Sequence, residues 1–213
     1  MTRLDIISDF VCPWCYLGKA NLETAIAARG EHPFRISWRP FQLDPNIPPE
    51  GLPRHPYIDE KLGGAGRAAT AHARLTELGA AAGIDFRFER ITRAPNTLDA
   101  HRLIRWAAAE GAQTQLAGEL FRRYFTDGED ISDPAVLTEA AAAAGLDAGV
   151  IAHLLAGDAE RAEIRGEIAE AGRIGVTGVP TFIVAGQYAL SGAQPPETWE
   201  QVMDEIETAA RAV

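Results

Sequence analysis

Cationic charge is scarce in this chain, and so are cysteine and long apolar runs. Its 213 residues hold 20 lysines and arginines against 30 aspartates and glutamates, for a net charge of −10, and Lys19 and Lys61 are the only lysines. That balance repels a phosphate backbone and no local basic cluster offsets it, so nucleic acid is not expected as a partner. No apolar run approaches the roughly 20 residues of a membrane span. Two cysteines, with no second pair and no close-set histidines, fall short of the four or so ligands of a structural zinc centre, so no metal is expected. A secretory leader is missing as well. Met1-Thr2-Arg3-Leu4-Asp5 enters an apolar run directly, without a cationic segment or cleavage site, and the expectation is a cytoplasmic protein. The 46% hydrophobic content supports one sizeable core, or one domain with a second inserted in it.

What the chain does have is both cysteines in one motif, Ser8-Asp9-Phe10-Val11-Cys12-Pro13-Trp14-Cys15. Leu4-Asp5-Ile6-Ile7 before it reads as a buried strand. Leu17, Leu22, Ala25 and Ile26 after it fall at helical spacing. The motif therefore lies where a strand hands over to a helix, and a helix start carries unpaired N–H groups and partial positive charge. A thiolate on Cys12 is favoured there, below the free thiol pKa of about 8.5. Pro13 suits the first turn, where its missing N–H costs nothing. Cys15 follows one turn later on the same face, with Cα atoms roughly 5–6 Å apart, which is disulfide range. The expected arrangement is an exposed attacking sulfur and a deeper resolving one, that is, dithiol redox chemistry.

Taken in order, the chain reads as a strand over 3–8, a helix over 13–29 and an alternating strand over 34–39, which form a right-handed crossover with parallel strands. A loop with four prolines follows at 46–56. Helix-period segments then run over 57–82, 97–110, 113–126, 134–144, 147–156 and 159–173, with Asn96 and Asp133 at helix starts. Residues 84–88 alternate as a short strand or extended edge. A strand at 180–184, a tight turn at Ala185-Gly186, a return over 187–191 and an amphipathic helix over 197–212 close the chain.

These segments resemble a known family. Ser8 to Cys15, Trp38-Arg39-Pro40-Phe41-Gln42-Leu43-Asp44-Pro45, Asn96 to Leu103, Gly175-Val176-Thr177-Gly178-Val179-Pro180-Thr181-Phe182 and Ser191-Gly192-Ala193-Gln194 together resemble the DsbA superfamily of thiol–disulfide oxidoreductases, nearest its cytosolic FrnE-like branch. The resemblance implies an α/β class chain: a thioredoxin-like fold with a large all-helical insertion. Residues 1–45 and 176–213 would form the discontinuous thioredoxin-like domain and 46–175 the insertion. It implies catalytic Cys12 and Cys15 and a cis peptide at Val179-Pro180. Around them, Pro13, Trp14, Val179, Pro180, His101, Ser191 and Gln194 are candidates for the active-site and substrate-binding wall. Periplasmic DsbA proteins carry Pro-His where this chain has Pro13-Trp14, so a potential nearer thioredoxin's is expected, within a spread of about 150 mV.

Each candidate has a plainer reading. His101 sits among Leu98, Leu103 and Ile104 and can simply pack; Ser191 and Gln194 can cap the last helix. Arg39 is read as an ion-pair partner of the many acids, and His32, His55, His72 and His153 as solvated. Trp14 at an exposed helix start is read as a recognition residue. The expected function is thiol–disulfide exchange with protein or small-molecule partners. No cofactor is expected, with glutathione a candidate co-substrate. Two alternatives stand beside it: a glutathione-dependent isomerase or transferase of the 2-hydroxychromene-2-carboxylate isomerase or kappa-class type, and a redox-sensing or chaperone-like binding module.

Overall fold

Leu4, Ile6 and Ile7 are almost wholly buried because their strand, β1 (Thr2–Ser8), has neighbours on both edges and cover on both faces. The structure is a computed structural model and describes residues 1–211. β1 runs parallel to β2 (Phe34–Pro40) and antiparallel to β5 (Thr181–Val184), which pairs with β6 (Tyr188–Ser191), giving the order β2-β1-β5-β6. Ile6 stands between Trp38 and Phe182 in the register. Successive strand residues point to opposite faces. Ile6 accordingly joins the main apolar cluster, while Ile7 joins a smaller one with Ala171 and Val176. The central strand also buries an acid, Asp5, which Arg3 and Arg39 neutralise at 2.7 and 3.1 Å. Arg39 is thus an ion-pair partner, as its sequence context suggested.

α1 (Pro13–Arg29) packs against the closing helix α9 (Pro196–Arg211), where Trp199 meets the Phe182 ring edge-on at 4.7 Å. Arg29 ties the two helices through Asp204 and Glu207. The sequence-expected end of α9 at Ala212 lies outside the described residues.

Between β2 and β5 the chain is helical: α2 (Arg54–Leu62), α3 (Ala65–Ala81), α4 (Leu98–Ala107), α5 (Gln113–Arg122), α6 (Pro134–Ala143), α7 (Ala148–Ala156) and α8 (Arg161–Arg173). This is a thioredoxin-like α/β fold with a helical insertion. The insertion and the sheet share one continuous apolar cluster, joined by rings such as Tyr16 stacked on Phe121 at 5.2 Å. Asp133 and Asp147 cap α6 and α7 by accepting from Ala135 and Val150 N–H groups. Asn96 Oδ1 accepts from Leu98 N–H at the start of α4. Arg102 is fully buried inside the insertion, where it donates to the carbonyls of Leu154, Gly157 and Ala159 and to Asp99.

Several boundaries differ from the sequence reading. The helix expected over 57–82 starts earlier and breaks in two at Gly63-Gly64, whose φ values of 76° and 118° no helix accommodates. Residues 84–88 form no strand; the chain there has no regular structure and enters a short 3-10 turn, Phe88–Arg90. The ladder lies instead between β3 (Leu52–Pro53) and β4 (Arg93–Ala94), too short to leave a periodic signal. The tail of the helix expected over 113–126 widens into a π turn, Arg123–Asp127. The hairpin turn has three residues, with Val184 opposite Tyr188, so Gln187 belongs to the turn rather than the strand.

Gly79 in α3 has no room for a side chain: a Cβ there would overlap the buried Phe86 ring. Gly79→Ala should destabilise the protein by about 1–3 kcal/mol in urea unfolding, the usual range for overpacking. Unchanged stability would show that the α3–Phe86 contact is looser than described.

Candidate active site

Asp9 to Cys12 make the turn from β1 into α1, closed by the Cys12 N–H donating to the Asp9 carbonyl at 3.0 Å. Cys12 is then the N-cap residue of α1, with extended backbone (φ −92°, ψ 110°), and Pro13 occupies the first helical position. No side chain caps this helix and its first turn contains no acid, so its partial positive charge faces the Cys12 side chain. The Cys12 thiol donates to the Val179 carbonyl at 3.5 Å. Val179-Pro180 is a cis peptide. Both cysteines are unbonded thiols.

Cys12 is only 3% exposed, so the freely exposed sulfur expected from the sequence is not found. It lies instead in the wall of a cavity of about 360 Å³, which Cys15 does not line. The attacking and resolving positions differ by access to this cavity rather than by general exposure. Burial pushes the Cys15 thiol well above its ordinary range, and the neighbouring Cys12 raises it further. Cys15 is therefore a protonated thiol at neutral pH.

The sheet domain supplies one side of the cavity through Asp9, Val11, Cys12, Trp14 and Val179. The insertion supplies the other, with Arg54, Tyr57 and Lys61 from α2, His72 from α3 and Tyr124 from the π turn. At the mouth stand three large apolar side chains, Trp14, Leu43 and Leu62, exposed by 42%, 47% and 38%. Lys61 pairs with Asp44 at 2.8 Å and holds its carboxyl below the usual range. Burial, with Asp44 beside it, keeps the Tyr57 hydroxyl protonated; burial pushes the Tyr124 hydroxyl up to about 12. Burial first, and then Arg54, lower the His72 pKa, so its ring is neutral at pH 7.

Of the residues singled out from the sequence, Cys12, Pro13, Trp14 and Val179 share this cavity, and Cys15 and Pro180 lie buried beside it. His101, Ser191 and Gln194 are not brought to it. His101 is 3% exposed and bonds through Nε2 to the Phe41 carbonyl at 2.8 Å, with its ring 5.0 Å from Phe10. Ser191 ends β6 and its carbonyl accepts from the Gln194 side chain, in a turn that ties the strand to α1 through the Gln194 carbonyl accepting from Asn21 at 3.0 Å. Sequence reasoning missed Asp9, Arg54, Tyr57 and His72. Asp9 is fully buried, accepts from Leu43 N–H at 2.8 Å through Oδ2, and keeps Oδ1 without a hydrogen bond, 3.6 Å from His101 Nε2. His72, read as solvated, stacks on Phe88 at 4.2 Å. Only Asp9 left a signal, as an acid three places before Cys12. The others come from two helices, α2 and α3, that carry no motif.

No group of side chains among the described residues is arranged to hold a metal, and no helix among them is long and apolar enough to cross a membrane. A thioredoxin-like sheet carrying a dithiol at the first helix start defines a class of redox-fold proteins. Residues 3–204 match the DSBA-like thioredoxin domain, and the chain belongs to that family. The probable DsbA oxidoreductase SCO1869 from Streptomyces coelicolor is 34% identical, with a TM-score of 0.84 over 96% of this chain and 89% of that one. Two more distant structures share the fold. A 2-hydroxychromene-2-carboxylate isomerase is 16% identical (TM-score 0.74, 99% of both chains). The cytosolic disulfide reductase DsbM from Pseudomonas aeruginosa, in a structure with GSH, is 22% identical (TM-score 0.68, 98% of this chain and 99% of that one).

The burial and protonation of Cys15 have a chemical consequence. Iodoacetamide at pH 7 should label Cys12 in the reduced native protein and leave Cys15 unlabelled until the chain is unfolded, as peptide mapping would read. Labelling of Cys15 at the same rate as Cys12 in the native protein would contradict this geometry.

Proposed function

We propose that this DsbA-family chain is a thiol–disulfide oxidoreductase of the FrnE-like branch, working in the cytoplasm through Cys12 and Cys15. The observation that carries the reading is the position of Cys12. Its sulfur faces the open start of α1 and a cavity, while Cys15 waits behind it, protonated and off the cavity. The Cys12 thiolate attacks one sulfur of a partner disulfide. That S–S bond breaks, the partner's second sulfur leaves and takes a proton, and a mixed disulfide joins Cys12 to the partner. Cys15 then loses its proton and attacks the Cys12 sulfur. The partner departs as a dithiol or thiol pair, and the Cys12–Cys15 disulfide carries the oxidation. Two electrons have passed to the partner.

In a reducing compartment the resting form is the dithiol, which favours reduction or isomerisation of partners. Glutathione is the proposed electron source. What supports it is the fold shared with DsbM, whose structure was determined with GSH. Trp14, Leu43 and Leu62 at the cavity mouth suit an apolar part of the partner, and the Val179 backbone beside Cys12 suits pairing with an extended segment.

The shared fold of the 2-hydroxychromene-2-carboxylate isomerase favours a second reading, a glutathione-dependent isomerase. Two cysteines rather than one at the first site weigh against it.

Insulin reduction with dithiothreitol separates the two. Wild type should shorten the lag before turbidity, and Cys12→Ser and Cys15→Ala should fall to or near the uncatalysed rate. Equal rates for wild type and Cys12→Ser would remove Cys12 from the mechanism. Glutathione-dependent isomerisation that survives Cys15→Ala would reverse the ranking.

A further inference from the structure

Two arginines of the insertion are buried, and they are treated differently. Arg102 has an acceptor for each face of its guanidinium: three carbonyls and the Asp99 carboxylate. Arg54 is 5% exposed, lines the cavity that Cys12 lines, and has no carboxylate within 4 Å among the described residues. Its side-chain partners are neutral. Nη2 donates to His72 Nε2 at 3.2 Å, which requires that nitrogen to be unprotonated, and the protonated Tyr124 hydroxyl lines the same cavity. The Phe88 ring lies 5.7 Å away, and Nε has no partner at all. A buried guanidinium without a counter-ion is costly to a fold, and this wall keeps one. The other cation of the cavity, Lys61, is already neutralised by Asp44.

We infer that Arg54, held in place by His72 and the Phe88 ring, is a binding subsite for a substrate carboxylate. The cleft then selects thiols and disulfides that carry a carboxylate group over uncharged ones of the same size. A carboxylate fits this site better than a phosphate dianion. One guanidinium offers one unmet positive charge, and a dianion would also face the buried Asp9 carboxylate in the same cavity. The planar fork of the guanidinium matches a carboxylate through two parallel bonds. The apolar mouth formed by Trp14, Leu43 and Leu62 leaves the rest of the ligand free to be apolar. The assignment deepens the redox reading of Cys12, but its binding part does not rest on it.

The test uses 3,3′-dithiodipropionate and its diamide, disulfides that differ in charge and little in size. Wild type should exchange with the dicarboxylate with a kcat/KM about tenfold above that for the diamide, the scale of one charged hydrogen-bonded contact. Arg54→Gln should bring the ratio to about one, and Arg54→Lys should leave an intermediate ratio. A short cystine peptide with a free C-terminus, set against its amidated form, distinguishes a chain end from a small acid; preference within either pair supports the subsite. A wild-type ratio near one for both pairs overturns it, and that result needs no folded variant. In Cys12→Ser, which cannot exchange through Cys12, millimolar dithiodipropionate should raise the melting temperature and the diamide should not. Stabilisation without exchange in wild type would retain the Arg54 subsite and reject the redox reading. Equal effects of the two compounds would reject the subsite.

Discussion

Everything at the candidate site depends on α1 beginning where the chain returns into β5. The two segments are 167 residues apart in sequence, and the Cys12 thiol meets the Val179 carbonyl at 3.5 Å. Close helix–strand packing makes this possible. Gly18, on the first turns of α1, would bring a Cβ to within 3.2 Å of both the Phe182 ring and Pro180, so the helix packs closely on this segment. From the other side the Pro180 carbonyl is held by the Gly192 N–H at 2.8 Å. The sulfur is thereby fixed between a helix start and a main-chain edge. A group on a freely moving loop would lose most of the electrostatic benefit of the helix end, which fades within one turn.

The insertion turns that fixed sulfur into a site with walls. One asparagine does much of the joining. Asn96 donates to the Ile47 carbonyl at 2.6 Å, accepts from Gln42 at 3.1 Å and accepts from Leu98 N–H at 3.0 Å. It thus clamps the proline-rich loop after β2 to the start of α4. His101 works in the same seam from one turn further on, bonded to the Phe41 carbonyl. With the loop held, Leu43, Asp44 and Ile47 face α2 and α3 across the cavity. His101 thus holds the start of that loop and does not itself line the cavity.

The sheet and the dithiol were legible in the sequence because each leaves a local pattern. Alternation, apolar runs and helix spacing marked β1, α1, β2 and β5 to within about a residue. Strand-to-helix placement of Cys12 and Cys15 needs only neighbours in sequence. The cavity was not legible, because its far wall comes from residues whose roles arise in tertiary packing alone. Arg54 and His72 lie on separate helices, and nothing in either helix's own pattern says that the two side chains meet at 3.2 Å. The break at Gly63-Gly64 did leave a signal, the glycine pair itself, which the sequence reading passed over in favour of one long helix; the backbone angles show that α2 and α3 are two. The accessibility of Cys12 was misjudged because the residues that cover it belong to distant parts of the chain.

The most direct test of the central claim is an equilibrium titration against mixtures of reduced and oxidised glutathione, quenched by acid and followed by the mass of the intact protein. The account expects a single transition between a dithiol and an intramolecular Cys12–Cys15 disulfide, at a potential nearer thioredoxin's than that of the strongly oxidising DsbA proteins. A protein that accumulates only glutathione adducts, or stays a dithiol at every ratio, would contradict it.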